Sequence, residues 1–276
     1  MLRFTPNPVR AIRPRTNCQL STKQMLTLTP IPHFPHIQPG DDVARLLLDA
    51  LRQAAIGLEA GDVIVIAQKV ISKAEGCFVN LADVEPSAEA VELAAATAKD
   101  PRLVELILQE SEAVSRYKRG VLVTRHRLGF TSANAGIDRS NVAQADDAEM
   151  VLLLPPNPDH SAAVIQHALE AAYGVSVGVV ITDSHGRPFR LGTVGVAIGV
   201  AGIPALWDRR GEADLYGYRL QHTEVGIADE VAAAASLLMG QAAEGQPVVL
   251  LRGLRLTAPP GKAADLIRPK SMDMYR

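Results

Sequence analysis

A chain of 276 residues, 47% hydrophobic and 21% charged, is long enough to bury a substantial core in one large domain or two modest ones. Its formal charge of −2 gives no general attraction for nucleic acid. No apolar run approaches the roughly 20 uninterrupted residues that span a bilayer, so neither nucleic acid nor membrane is an expected partner. The basic cluster Arg119, Arg125, His126 and Arg127 reads either as a solvated face or as a phosphate site. Cys18 and Cys77 stand far apart, which suits a reduced, cytoplasmic protein without a disulfide framework.

Residues 1–23 mix arginines, prolines and asparagines with little periodicity and lack the apolar core of a secretory signal, so a loose extension is expected there. A strand or turn over 26–35 leads through Pro39-Gly40-Asp41-Asp42 into a helix over 43–58, the acid pair suiting a first turn. Gly61-Asp62 turns the chain into a buried strand, 63–67, which runs straight into Gln68-Lys69-Val70-Ile71-Ser72-Lys73-Ala74-Glu75-Gly76. Helices are expected over 87–98 and 101–110, with Pro101 in an allowed first-turn position. Strands follow over 120–127 and 150–154. Asp159 is read as the cap of a helix over 160–173 that ends at Gly174. A strand over 175–182, sheet-like residues over 194–200, an alanine-rich helix over 225–239 and a late strand over 248–251 complete the series. The alternation indicates an α/β or mixed α+β fold. Neighbouring strands with no helix between them argue against a plain doubly wound domain.

The densest chemistry lies where the strand over 175–182 opens into Asp183-Ser184-His185-Gly186-Arg187-Pro188-Phe189-Arg190. A buried strand ending in a polar loop presents side chains to a ligand. Asp183 offers a hard oxygen to Mg2+ or Mn2+ and Ser184 a hydroxyl; equally, an Asp here caps a turn through a local amide. Arg187 and Arg190 carry forked donors for phosphate or carboxylate, and His185 reads as a polar loop residue. A second loop, Asn134-Ala135-Gly136-Ile137-Asp138-Arg139-Ser140-Asn141, supplies another carboxylate, directed at a site or lying in a surface turn. Lys69 and Lys73 share a face if their segment is helical, and then suit triphosphate charge; otherwise Lys73 pairs with Glu75 or is solvated. Met239-Gly240-Gln241-Ala242-Ala243-Glu244-Gly245-Gln246 permits close backbone approach to a nucleotide, with Gln241 or Glu244 as an oxygen donor, or is a helix cap and loop. Pro259-Pro260-Gly261-Lys262 lacks the spacing of a phosphate loop, and the histidines show no tight ligand spacing.

In order, Phe34-Pro35-His36-Ile37, Pro39-Gly40-Asp41-Asp42, Val70-Ile71-Ser72-Lys73-Ala74-Glu75-Gly76, the 134–141 loop, Thr182-Asp183-Ser184-His185-Gly186-Arg187-Pro188 and Thr223-Glu224-Val225-Gly226-Ile227-Ala228-Asp229-Glu230 resemble the coenzyme F420-0:L-glutamate ligase family, also called F420-0:gamma-glutamyl ligase. The resemblance covers residues 28–253. It implies a mixed α/β fold forming an intertwined homodimer, with an N-terminal extension at 1–23, a catalytic domain at 24–256 and a C-terminal tail at 257–276. It further implies a GTP-dependent ligase that joins F420-0 to L-glutamate through an acyl phosphate, any further glutamates being γ-linked. Two divalent cations, Mg2+ or Mn2+, are implied, with K+ as a further candidate. Asp138 and Asp183 would hold one cation, Ser184 and Gln241 the second. Asp138, Asp183, Lys73 and Arg187 form the expected catalytic set. Phe34, Pro35, His36, Ile37, Gln68, Lys69, Lys73, Asn141, Met239, Gly240, Gln241, Ala242, Ala243, Glu244, Gly245 and Gln246 would surround GTP. The family usually carries threonine and an aromatic residue where this chain has Ser184 and His185. That difference keeps a different carboxylated acceptor open as an alternative, alongside a non-catalytic nucleotide-binding dimer.

Overall fold

The two most apolar stretches of the chain pair in parallel at the middle of a five-stranded mixed sheet. The computed structural model describes residues 25–142 and 149–272; the expected extension at 1–23 and the end of the expected tail, 273–276, lie outside the described residues. In chain order the elements are β1 (Thr27–Pro30), α1 (Val43–Gln53), β2 (Val63–Ala67), α2 (Gln68–Ala74), β3 (Phe78–Asn80), α3 (Ala88–Thr97), α4 (Pro101–Gln109), β4 (Ser111–Lys118), β5 (Val121–His126), β6 (Thr131–Ala133) and β7 (Met150–Leu152). They continue with α5 (Pro158–Tyr173), β8 (Gly178–Arg187), β9 (Arg190–Ala201), β10 (Trp207–Asp208), β11 (Glu224–Val225), α6 (Ile227–Met239) and β12 (Val248–Arg252). The mixed α/β architecture is the one expected.

The central sheet runs β1-β12-β2-β8-β9, with every pair antiparallel except β2 and β8. Val63, Ile64, Val65 and Ile66 are all fully buried, so both faces of β2 are covered. Ile64, Ile66, Val179 and Ile181 face α1 and α5 through Leu47, Leu51, Ile165 and Leu169. Val63, Val65 and Val180 face α6 through Val231, Ala232 and Ala235. The parallel connection from β2 to β8 passes through a lateral subdomain, in which α3 and α4 pack beside the three-stranded sheet β4-β5-β6.

Strand β9 is an edge, and two helix acids cover it. Asp159 Oδ1 of α5 accepts the amide of Val200 at 2.8 Å, and Asp229 Oδ1 of α6 accepts that of Ala197 at 2.9 Å. This satisfies donors that a sheet edge leaves unpaired. The register skips Ile198 between the pairs Ile181–Gly199 and Thr182–Ala197, a β-bulge. The bulge turns Ile198 and Gly199 to the α5 side while Ala197 and Gly195 face α6. Bare backbone at those glycines lets both helices close onto the strand. A Cβ on Gly199 would lie 2.4 Å from the Pro158 carbonyl oxygen, and one on Gly195 would lie 2.5 Å from that of Ala232.

Three expectations are corrected. The strand expected to end at Thr182 continues to Arg187 and returns through Pro188-Phe189 as a hairpin with β9, because residues 183–187 pair with 190–196. Helix α1 stops at Gln53 rather than residue 58; Ala55 adopts φ 54°, which a continuing helix forbids. Asn157, not Asp159, caps α5 by accepting the His160 amide at 3.2 Å, since Asp159 is committed to β9 and to the Ala263 amide. Strand β4 carries no apolar alternation that predicts it, because its residues are largely exposed and polar.

The close approach gives a stability test. Gly199→Ala should lower stability by about 1–3 kcal/mol, the range for overpacking against atoms that cannot yield. Chemical denaturation would measure it, and an unchanged midpoint would contradict the stated proximity of β9 and α5.

Candidate functional site

The parallel pairing that builds the sheet also builds the site. Ala67, the last residue of β2, lies opposite Thr182 of β8, so α2 begins beside Asp183. The helix puts Lys69 and Lys73 one turn apart, meeting the condition under which they share a face. Lys73 makes no ion pair among the described residues. Partial burial, followed by the charge of Lys69, holds its pKa below the usual lysine range. Glu75 instead accepts a hydrogen bond from Ser161 at 2.5 Å.

Asp138 reaches the same place from the lateral subdomain. Asn134, Ala135 and Gly136 adopt φ of 54°, 52° and 68°, a sharp left-handed turn for which asparagine and glycine are suited. A Cβ on Gly136 would come within 2.7 Å of Leu154. Beyond the turn, the Asp138 backbone exchanges two 2.9 Å hydrogen bonds with Leu152. Its Oδ2 accepts from Gln68 Nε2 at 2.8 Å and stands 3.3 Å from Lys69 Nζ. Gln68 is buried, and its own Oε1 accepts from Ser72 Oγ at 2.7 Å, which fixes the amide orientation.

Burial raises the Asp138 carboxyl above its ordinary range; Lys69 opposes the rise and the negative charge of Asp183 adds to it. Mutual repulsion between two carboxylates from separate elements is what a divalent cation relieves. Among the described residues no group of three or more His, Cys, Asp or Glu could hold a metal ion by itself. Two carboxylates are the protein ligands that suit Mg2+ or a similar ion, which takes one or two of them and completes its shell with water and substrate phosphate oxygens.

Lys69 Nζ also donates to Ser140 Oγ at 2.8 Å, and Asn141 Nδ2 donates to the carbonyl of Ala242 at 3.0 Å. These bonds tie the Asp138 loop to α2 and to the segment after α6. The Gly40 amide donates to the Ala74 carbonyl at 2.8 Å, which fastens the 34–40 loop to the other end of α2. Within that loop Ile37 is core, Phe34 packs against it, and Pro35 and His36 are exposed.

Other expected residues make no side-chain hydrogen bond to Asp138 or Asp183 among the described residues. Strand alternation sends Ser184 to the face opposite Asp183, where it is exposed. Arg187 donates across the hairpin to the Leu191 carbonyl at 3.1 Å, and Arg190 stands directly opposite it. In the segment after α6, Met239 and Gly240 are partly buried, Gln241, Ala242, Ala243, Glu244 and Gly245 are exposed, and Gln246 is partly buried. The Glu244 carboxylate is held below its usual range by the Ala242 amide first, with the amides of Glu244 and Gln241 adding to it. Glu244 thus organises its own loop. The basic cluster divides: Arg125 stands 3.3 Å from Glu112 and Arg127 2.8 Å from Glu110, while His126 is fully buried.

Sequence reasoning missed Gln68 as an orienting contact, Ser140 as a partner of Lys69, and the ring group His126, Phe130 and His185. His185 is buried on the face of β8 that carries Asp183, and its Nε2 lies 3.0 Å from Asp183 Oδ2. A cavity of about 230 Å³ opens beside it, lined in part by Phe130, Asp159, Val196 and Asp229.

The Asp138 pKa has a consequence for stability. A carboxyl whose folded pKa lies above its unfolded one costs nothing at low pH, where both states hold the proton. The cost grows as pH rises through the unfolded pKa and is complete above the folded one. At pH 7 without divalent cations, Asp138→Asn should therefore be as stable as the parent or more stable in thermal denaturation. A clear fall in Tm would contradict the repulsion assigned to this carboxylate.

Residues 32–253 match the model of the F420-0:Gamma-glutamyl ligase family. The chain is 46% identical over 256 residues to the coenzyme F420:L-glutamate ligase of Methanothermobacter thermautotrophicus, covering 91% of this chain and 99% of that protein. Against the Methanocaldococcus jannaschii protein of the same name it is 48% identical over 219 residues, covering 79% and 86%. Against that of Archaeoglobus fulgidus it is 41% identical over 248 residues, covering 90% and 95%. Matched along most of its length by the family model and by relatives in three organisms, this chain belongs to the F420-0:gamma-glutamyl ligase family.

Proposed function

We propose that this chain is a GTP-dependent ligase that forms an amide between the carboxylate of coenzyme F420-0 and the α-amine of L-glutamate, releasing GDP and phosphate. Family membership and the names of the relatives support the ligation. The single structural observation that carries the reading is the convergence of Asp138 and Asp183 beside two lysines of one helix face. Such a group suits a triphosphate with bound Mg2+ or Mn2+ and has no evident use in a purely structural domain.

In this reading the acceptor carboxylate attacks the γ-phosphorus of GTP and GDP leaves. The glutamate amine then attacks the acyl carbon, phosphate departs, and the amine loses a proton. Divalent cations, when bound, offset charge on the phosphoryl oxygens. Asp138 and Asp183 would hold one cation, with Ser184 and Gln241 as further oxygen donors to a second, and K+ remains a candidate third ion. Gln68 orients Asp138 for its part. Lys69 and Lys73 would neutralise phosphate charge, and Arg187 would complete the catalytic set. The loops at 34–37 and 239–246 and Asn141 would border the nucleotide. No side-chain nucleophile is required, because the substrate carboxylate supplies the attacking oxygen.

The homodimer is part of the proposal. Phe189 and Leu191 at the hairpin tip are 96% and 98% exposed, and Leu215 and Tyr216, between β10 and β11, are 98% and 91% exposed. Large apolar side chains bared in this way are what an intersubunit surface covers. Among the described residues no helix is long and apolar enough to cross a membrane.

The direct test incubates the protein with GTP, Mg2+ or Mn2+, F420-0 and L-glutamate and follows products by mass spectrometry. A product heavier by one glutamyl unit, with GDP in equal amount, is expected; no product and no GTP turnover under varied metals would reject the reading. Lys73→Ala should raise the KM for GTP by about tenfold or more, the effect of losing a charge-assisted phosphate contact. An unchanged KM for GTP would remove Lys73 from the nucleotide site.

A further inference from the structure

The buried group on the face of β8 beside Asp183 is the strongest feature that the reaction itself does not use. His185 lies two residues from Asp183 on the same strand, so the period of two brings their side chains to one face. With its proton on Nε2, the imidazole donates to Asp183 Oδ2 at 3.0 Å. Among the described residues Asp183 Oδ1 accepts no hydrogen bond. Among the described residues one carboxylate oxygen is therefore held and the other has no hydrogen-bond donor.

The imidazole is itself held from outside the central sheet. Phe130, just before β6, places its ring 4.8 Å from that of His185 at an interplanar angle of 51°. On its other side Phe130 stacks on His126 of β5 at 5.1 Å and 8°. His126 is fully buried; its Nδ1 accepts the Leu128 amide at 3.0 Å and its Nε2 faces Glu110 at 3.6 Å. Three rings thus run from the lateral sheet to the cation-site carboxylate, and each limits the rotation of the next. His185 is 8% exposed, so its orientation is set by packing rather than by solvent.

We propose that His185 is a positioning residue. By holding Oδ2 it presents Oδ1 of Asp183 to the cation, and the His126–Phe130 stack is the support that keeps it there. The inference rests on the reading of Asp183 as a cation ligand. Groups that hydrogen-bond a ligating carboxylate fix its direction, and their loss commonly weakens metal binding by about 10–100-fold.

The test is a Mn2+ titration of the full chain saturated with GDP, following free Mn2+ by electron paramagnetic resonance, with thermal denaturation of each metal-free variant alongside. His185→Phe keeps a ring against Phe130 and removes the donor; it should bind Mn2+ about 10–100-fold more weakly while the metal-free Tm stays near that of the parent. His185→Gln can place an amide N–H close to where Nε2 stood and should recover Mn2+ affinity to within about threefold of the parent, because the donor is restored. Parent-like Mn2+ binding by His185→Phe, or a His185→Gln as weak as His185→Phe, would overturn the inference. Asp183→Asn separates the two levels: loss of Mn2+ binding there supports the site, and full binding would overturn the cation-site reading and this inference with it.

Discussion

Two carboxylates, Asp183 on a buried strand and Asp138 in a loop beside it, are held where burial first and their mutual repulsion second disfavour the charge on Asp138. Asp183 is fixed by sheet pairing on β8 and by the His185 hydrogen bond. Asp138 is fixed by its backbone exchange with Leu152 and by the Gln68 amide. Burial and the Asp183 charge together raise the Asp138 carboxyl, and the nearby ammonium of Lys69 offsets only part of this. A protein that maintains such a pair holds electrostatic free energy that a bound cation recovers. In the proposed function the site is thus prepared before any ligand arrives, which is how a binding centre avoids reorganisation at the moment of reaction.

The preparation depends on parts distant in sequence. β2 and β8 deliver the helix start and the acid strand side by side, while the long connection between them supplies the Asp138 turn and the stacked rings of His126 and Phe130 that pack against His185 of β8. Glycines at 195 and 199 allow α6 and α5 to close over the edge strand β9, with Asp229 and Asp159 taking its amides. The hairpin that carries Asp183 is therefore clamped on both faces at its root, and its apolar tip extends into solvent. A rigid root suits ligand geometry. A bared tip suits an intersubunit contact, where solvent exposure would otherwise cost free energy.

Much of this was legible in the residues. The β-branched runs at 63–66 and 179–181 announce buried strands, and Pro101 and Gly174 mark helix ends where the structure has them. Asp138, Asp183, Lys69 and Lys73 stand out as polar groups at the ends of apolar segments. What the sequence hides is partnership across distance. Nothing local tells that Gln68 meets Asp138, seventy positions away, or that His126 and His185 sandwich Phe130. The hairpin over 183–196 was concealed because its β8 half is polar and reads as a loop; pairing with β9, not apolar periodicity, makes it a strand. Asp159 looks like a helix cap by position, yet tertiary contact claims it for the sheet edge.

The most direct measurement is anomalous X-ray scattering from a crystal of the chain grown with Mn2+ and GDP. The account predicts an anomalous peak within ligand distance of both Asp138 and Asp183, with the nucleotide phosphates reaching it from the side of Lys69 and Lys73. A peak bound elsewhere, or a nucleotide whose phosphates lie away from both carboxylates, would contradict it.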